Sequence, residues 1–395
     1  MNEPKSPSLQ DYLAQVGALA LAIEAAAGDA EQRRQLAPEV VDGLTEAGLY
    51  RMLQPRFLGG GELPLADFMA VIEDLAKADA STAWCVAQCG TCAMAAAYLD
   101  RDTAREVFGP SDGILAWGPP APSEARIVDG GYRVSGKWNF ASGGHQATWL
   151  GAQSFVMDSD GKAVRRENGG PVIRTMLIPR DKVQMGDAWN VMGLKGTGSD
   201  SYAVEDVFVP DRLSLGRDEA ADRREGGLLY KFSTSNVYSF AFAALALGIA
   251  RRMLDDAVTV ATEKLPYGTK RPLRENNVIQ AQIGRSEGAW RAARGYLYAT
   301  ARDLWDAMAE TSALSLEQRL ELRLSSVWTI HQAADIADTV FHMIGSTAIF
   351  EAEPFERRFR DMHTVTQQLQ GRQSHFESVG QVLLGLEPDT ALFTT

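Results

Sequence analysis

The sequence predicts an α+β protein in three consecutive parts: helical, then β, then helical. Two changes of pattern predict it. Apolar residues recur at helical spacing up to about residue 106 and again from about residue 225, and between these limits short alternating runs are punctuated by Gly and Asp. The predicted parts are residues 1–110, 111–224 and 225–395. A chain of 395 residues, 45% hydrophobic and 23% charged, has ample length for such an arrangement.

The elements follow in order. Leu13, Val16, Leu19, Ala20 and Ile23 share one face of a first helix, and Pro38 opens a second in its first turn. Gly59-Gly60-Gly61 is a loop, Pro64-Leu65 starts a third helix running to about Ala78, and Ser81 begins a fourth. Residues 127–134 read as strand, tight Asp129-Gly130-Gly131 turn and strand. Residues 148–156, 172–179 and 201–210 are further strands. The last part carries four or five helices, broken near Pro266-Tyr267-Gly268, Pro272, Ser315, Pro354 and Gly371, which is the pattern of a bundle.

Composition narrows the function. A net charge of −12 without any basic stripe argues against nucleic acid as a partner. No basic-then-apolar leader opens the sequence, and no uncharged apolar run approaches the roughly 18 residues of a membrane span, so a cytoplasmic protein is expected. Cys85, Cys89 and Cys92 have a spacing superficially like that of an iron–sulfur site. Offsets of four and seven place them on one helix face, and the expectation is buried core. No histidine or carboxylate set has metal-ligand spacing, and no nucleophile elbow is present.

Several segments together carry a family likeness. Residues 38–50, followed by Pro55 and Gly59-Gly60, and residues 76–84 ending in Trp84 resemble the N-terminal domain of acyl-CoA dehydrogenases. Gly136-Lys137-Trp138-Asn139-Phe140-Ala141-Ser142-Gly143 is similar to the family's flavin-facing strand, and residues 192–199 with Val209-Pro210 to the strand that closes its β domain. Gly345 and residues 354–361 resemble the approach to the last active-site helix. The resemblance implies an N-terminal helical domain, a middle β-barrel-like domain and a C-terminal four-helix bundle. It also implies a homotetramer and a flavin, FMN or FAD, between the β domain and a bundle.

On that resemblance Trp117, Trp138 and Phe140 are expected as aromatic walls for the flavin, with ordinary core packing as the alternative for the strand pair Trp138 and Phe140. Ser142 and the backbone at Ala141 are expected to hydrogen-bond the reactive edge of the ring, and Lys195, Thr197 and Ser199 to line the flavin tail or the substrate entrance. In most family dehydrogenases a glutamate lies nine residues beyond the equivalent of Arg360, and here that position is Leu369, which cannot take a proton. The oxygenase branch usually has histidine one residue earlier, where this chain has Gln368, able to hydrogen-bond but not to act as a base. His145, directly after the flavin strand, is the remaining candidate for proton transfer, with surface packing as its alternative. His375 is a second, if it shares a helix face with Gln368 across Gly371. His363 reads as a polar structural position, and His331 and His342 as bundle residues.

The expected activity is that of a two-component monooxygenase: reduced FMN or FAD from a separate reductase, oxygen, and a small aromatic or heteroaromatic substrate. Catalysis is expected at Ser142, His145 and Gln368. The alternative is an acyl-CoA dehydrogenase or flavin oxidase with a displaced base, and outside enzymology a scaffold that has lost its flavin.

Overall fold

The computed structural model describes residues 6–388. Its elements follow the expected order: helices α1 (Leu9–Arg33), α2 (Pro38–Glu46), α3 (Leu65–Ala78), α4 (Ala80–Cys92) and α5 (Arg101–Phe108) come first. Strands β1 (Leu115–Trp117), β2 (Ser123–Val128), β3 (Gly131–Trp138), β4 (Trp149–Met157), β5 (Ile173–Pro179), β6 (Gln184–Met185), β7 (Tyr202–Pro210) and β8 (Ser214–Leu215) follow. Helices α6 (Thr234–Glu263), α7 (Asn277–Thr311), α8 (Leu316–Ile344), α9 (Pro354–Val365) and α10 (Ser374–Leu383) complete the chain.

Packing groups these elements into two compact units. One takes in the residues up to Leu63 with Cys85–Asn190 and Lys195–Thr234; the other comprises Pro64–Trp84, Val191–Leu194 and the residues from Ser235 onward.

The first unit contains the sheet. Its strands run in the order β6-β7-β3-β2-β4-β5-β8, with β1 added parallel to β4, and the ladder does not close on itself as a barrel does. The hairpin at Asp129-Gly130 forms as expected: Val128 pairs with Gly131, and Gly130 takes φ +73°, open to glycine at no steric cost. Ala125, Val134, Trp138, Leu150, Ala152, Met176 and Leu177 are buried within it. Helix α1 is started by a reciprocal Ser8–Asp11 capping box and buries Tyr12, Val16, Ile23, Ala27 and Ala30; Val16 and Ile23 belong to the stripe expected, whereas Leu13, Leu19 and Ala20 are only half-buried.

The second unit is the helical bundle. Ser315 and Gln318 form the capping box that starts α8, and Pro354 stands in the first turn of α9. Helix α3 also belongs here: Glu73 accepts a bifurcated bond from Arg294 Nε of α7 (2.8 and 3.1 Å to its two oxygens) and a 2.6 Å bond from the Tyr298 hydroxyl. A Cβ at Gly248 of α6 would collide with the Glu73 carbonyl, so this glycine lets α3 approach closely. By length and composition α1 and α6 could each cross a membrane, but 89% of the apolar window of α6 is buried inside the protein.

The end of the bundle differs from expectation. Gln368 and His375 do not share a helix. Helix α9 stops at Val365, a short 3₁₀ turn occupies Leu369–Gly371, and His375 lies in the separate helix α10. The helix is broken where Gln368 turns extended (φ −74°, ψ 164°) and its side chain accepts from Gln370 N–H, as an N-cap residue does.

Candidate active site

The site is built where β3 leaves the sheet. At Trp138 the strand is still paired, to Tyr202 of β7, whose ring stacks on the indole at 5.2 Å. The indole N–H donates to the Gln153 carbonyl at 2.9 Å, and Trp138 is fully buried. Two residues on, Phe140 adopts φ +63°, a left-handed conformation costly for an aromatic residue. That turn leaves its ring 59% exposed, edge-on to Trp189 at 6.2 Å.

Of the expected aromatic walls, therefore, only Phe140 offers a face. Trp138 is corrected to a core residue, its alternative reading. Trp117 is also buried: it pairs with Gly151 across β1 and β4, and the Arg217 guanidinium lies 5.1 Å from its ring.

Past Phe140 the chain zips onto the segment before β7. Ala141 N–H donates to the Asp200 carbonyl at 3.0 Å and Gly143 N–H to that of Thr197 at 3.2 Å. This pairing aligns three buried hydroxyls, with Ser199 Oγ 2.6 Å from Ser142 Oγ and 2.7 Å from Thr197 Oγ1. Each hydroxyl can both donate and accept, so the chain of bonds can run in either sense. Ser142, Thr197 and Ser199, predicted as separate contributors, thus form one hydrogen-bonded group. Ala141 is buried, and its N–H is committed to Asp200.

His145 lies at the same turn. Its Nε2 is 2.9 Å from Asp200 Oδ2, and Asp200 Oδ1 accepts from the N–H groups of Ala188 (2.6 Å) and Trp189 (2.8 Å). Asp200, itself held by two backbone donors, orients the ring through Nε2, and in a neutral ring that donates there Nδ1 is left as the acceptor. Sequence reading missed Asp200. Its signal was only its position beside Ser199.

The Lys195 ammonium pairs with Glu31 of α1 at 3.0 Å.

The three cysteines are buried in α4, as their spacing implied, but two of them are aimed at the site. The Cys85 thiol lies 3.7 Å from the Thr197 carbonyl and that of Cys89 3.9 Å from the Ser142 carbonyl. A Cβ on Gly143, which has φ +75°, would sit 2.5 Å from Cys89 Sγ, so glycine is required there on two counts.

In the bundle, Gln368 caps its turn through Oε1, while its buried Nε2 has no hydrogen-bond partner among the described residues. Two histidines hold the same turn: His331 Nε2 lies 2.9 Å from the Gly371 carbonyl and His375 Nε2 2.8 Å from that of Leu369. Burial pushes the His375 imidazole below its usual pKa, which suits a structural neutral ring. His363 pairs with Asp338 at 2.9 Å, and His342 Nδ1 lies 2.8 Å from the Asp338 carbonyl.

Comparison with known proteins agrees with this architecture. Residues 9–106 match the acyl-CoA dehydrogenase N-terminal domain and residues 240–371 the acyl-CoA dehydrogenase C-terminal domain. The chain is 28% identical to the indole-3-acetate monooxygenase of Pseudomonas putida over 362 residues, covering 91% of this chain and 90% of that protein. It is 25% identical to the FADH2-dependent resorcinol hydroxylase, oxygenase component, of a Rhizobium species, covering 94% of each. The crystal structure of the HsaA monooxygenase from Mycobacterium tuberculosis superposes with a TM-score of 0.86 at 26% identity, over 98% of this chain and all of that one. The chain belongs to the acyl-CoA dehydrogenase family, and its relatives there are flavin-dependent monooxygenases.

Proposed function

We propose that this protein is the oxygenase component of a two-component flavin-dependent monooxygenase, taking reduced FMN or FAD from a separate reductase and hydroxylating a small aromatic substrate. The observation that carries the reading is the hydroxyl chain Ser142–Ser199–Thr197 lying two residues from the exposed ring of Phe140. A planar ring system with one polar edge needs an apolar face to lie on and adjustable donors beside it, and this segment supplies both. The residues therefore fit a flavin, with Phe140 as its face and Ser142 as its polar partner.

Reduced flavin, when bound, supplies the electrons by which one atom of O2 enters an aromatic ring and the other leaves as water. The chain's own part is to position and to manage protons. Thr197 and Ser199 fix the rotor of Ser142, so that its hydroxyl meets a ligand in one orientation. His145, held by Asp200 through Nε2, offers Nδ1 to accept a proton. Leu369 supplies no carboxylate, which disfavours the dehydrogenase alternative. The relatives' named substrates, indole-3-acetate and resorcinol, are aromatic and carry N–H or O–H donors. A homotetramer in the cytoplasm completes the reading.

Anaerobic titration with reduced and oxidised FMN and FAD tests it, followed by oxygen admission with resorcinol or indole and product analysis. Tighter binding of the reduced form and hydroxylated product are expected. Stoichiometric oxidised FAD that an acyl-CoA reduces would overturn the proposal in favour of the dehydrogenase.

A further inference from the structure

Between Cys85 and Cys92 of α4 every residue is buried except Gln88, which keeps part of its surface exposed. A polar amide at an otherwise buried stretch of helix calls for a partner. Its nitrogen has one: Nε2 donates to the Trp117 carbonyl at 3.1 Å and lies 3.6 Å from Cys92 Sγ. Its oxygen makes no hydrogen bond to a described residue and is not among the buried unpaired atoms, so Oε1 is open to solvent.

The direction of that opening follows from the helix. Cys85, three residues before, aims its thiol at the Thr197 carbonyl, and Cys92, four residues after, lies 3.6 Å from Gln88 Nε2. Residues at these offsets share a face. Gln88 thus stands on the stripe of α4 that backs the Thr197 segment, with its amide plane fixed through Nε2. An amide oxygen fixed in this way is a directional acceptor. It has no charge to attract anions or cations strongly, and it matches a neutral O–H or N–H donor.

We infer that Gln88 is a specificity-determining residue: its Oε1 accepts a hydrogen bond from the phenolic O–H or ring N–H of the aromatic substrate. This rests on the aromatic-hydroxylation reading above and adds the group by which the substrate is chosen. A site built to accept a hydrogen bond rejects the analogue that cannot donate one, because the acceptor is then left unpaired.

The test uses two probe pairs, indole against 1-methylindole and resorcinol against 1,3-dimethoxybenzene. Binding is measured anaerobically by equilibrium titration to the protein with reduced flavin. Wild type should prefer the donor-bearing member of at least one pair. Gln88→Met, which keeps length but neither donates nor accepts comparably, should lower that preference by about 5–30-fold, the range expected for one lost hydrogen bond. Affinity for the methylated member should stay within about twofold of wild type. Gln88→Asn, which keeps the amide one methylene short, serves as a second variant and should retain part of the preference.

A preference unchanged in both variants overturns the inference. So does equal weakening of donor and methylated probes, which is the signature of a purely structural tie to Trp117. If wild type binds none of the four probes, the aromatic reading itself falls, and this inference with it. Binding with no donor preference in wild type overturns only the inference.

Discussion

Ser199 is the middle member of the three-hydroxyl chain, and Ser199→Ala removes two hydrogen bonds at once, one of 2.6 Å to Ser142 and one of 2.7 Å to Thr197. Each neutral bond is worth about 0.5–1.5 kcal/mol net, so the substitution should cost about 1–3 kcal/mol of stability. The void left is a single oxygen at a residue 4% exposed, and it adds little. If Ser199 acts on turnover only by holding the Ser142 rotor, misorientation worth roughly 1–2 kcal/mol should raise peroxide released per product by about 5–30-fold. Ser142→Ala should raise it comparably. The double variant should then be no worse than Ser142→Ala alone, because the group Ser199 orients is already gone. The assay is oxygen uptake with peroxide and product quantified in parallel, together with denaturant unfolding of the four proteins. A wild-type peroxide ratio in Ser199→Ala, or multiplicative effects in the double variant, would refute the argument that the hydroxyls act as one group.

Two further predictions concern burial. Phe140→Ala should weaken reduced-flavin binding several-fold with little loss of stability, since a ring 59% exposed contributes little to the core. Trp138→Ala should instead cost about 3–5 kcal/mol, the usual range for a buried large aromatic, and calorimetry beside flavin titration separates the two. Burial, reinforced by the Asp79 carboxyl, raises Asp361 from 3.8 to about 7, against the opposing Leu194 N–H, Arg360 and Arg357. The folded chain thus keeps a proton that the unfolded chain releases near pH 4, so this group's stabilisation is full below about pH 4 and is lost as pH rises to about 7. Asp361→Asn stays neutral and can still accept the 2.5 Å bond from Leu194 N–H, so the stability advantage of wild type over this variant should shrink across that window. Urea unfolding at pH 4.5, 5.5, 6.5 and 7.5 measures it, and a constant or growing advantage contradicts the assignment.

How far the sequence could be read depended on whether local rules held. Strand boundaries at 149–157, 173–179 and 202–210 and the Asp129-Gly130 turn follow from alternation and turn chemistry, and they fell within a residue or two of expectation. Trp138 and Phe140 look equivalent by the same rule, because residues two apart in a strand share a face. They are not equivalent, because β3 ends at Trp138 and the left-handed turn at Phe140 sends the second ring outward. Lys195 in its Gly-rich setting resembles a phosphate-binding residue, but its pairing with Glu31 joins positions remote in sequence, which periodicity cannot register. Counting residues ties His375 to Gln368 only along an unbroken helix, and Gln368 itself interrupts it.

The helical offset of Cys85, Cys89 and Cys92 predicts burial on one face of α4, and all three are buried. What the sequence hid was the identity of the neighbours, and hence the role of Gln88 between them. The misreadings at Phe140 and Gln368 both occur where regular structure stops, at a left-handed residue and at a capped 3₁₀ turn. Local patterns lose force at such places because backbone conformation, rather than spacing, decides where a side chain points. A left-handed aromatic has a cost that packing must offset, and an exposed ring receives little packing in return. The strain at Phe140 is therefore better explained by a bound ring system than by folding, and measuring whether Phe140→Gly gains stability while losing flavin affinity separates the two.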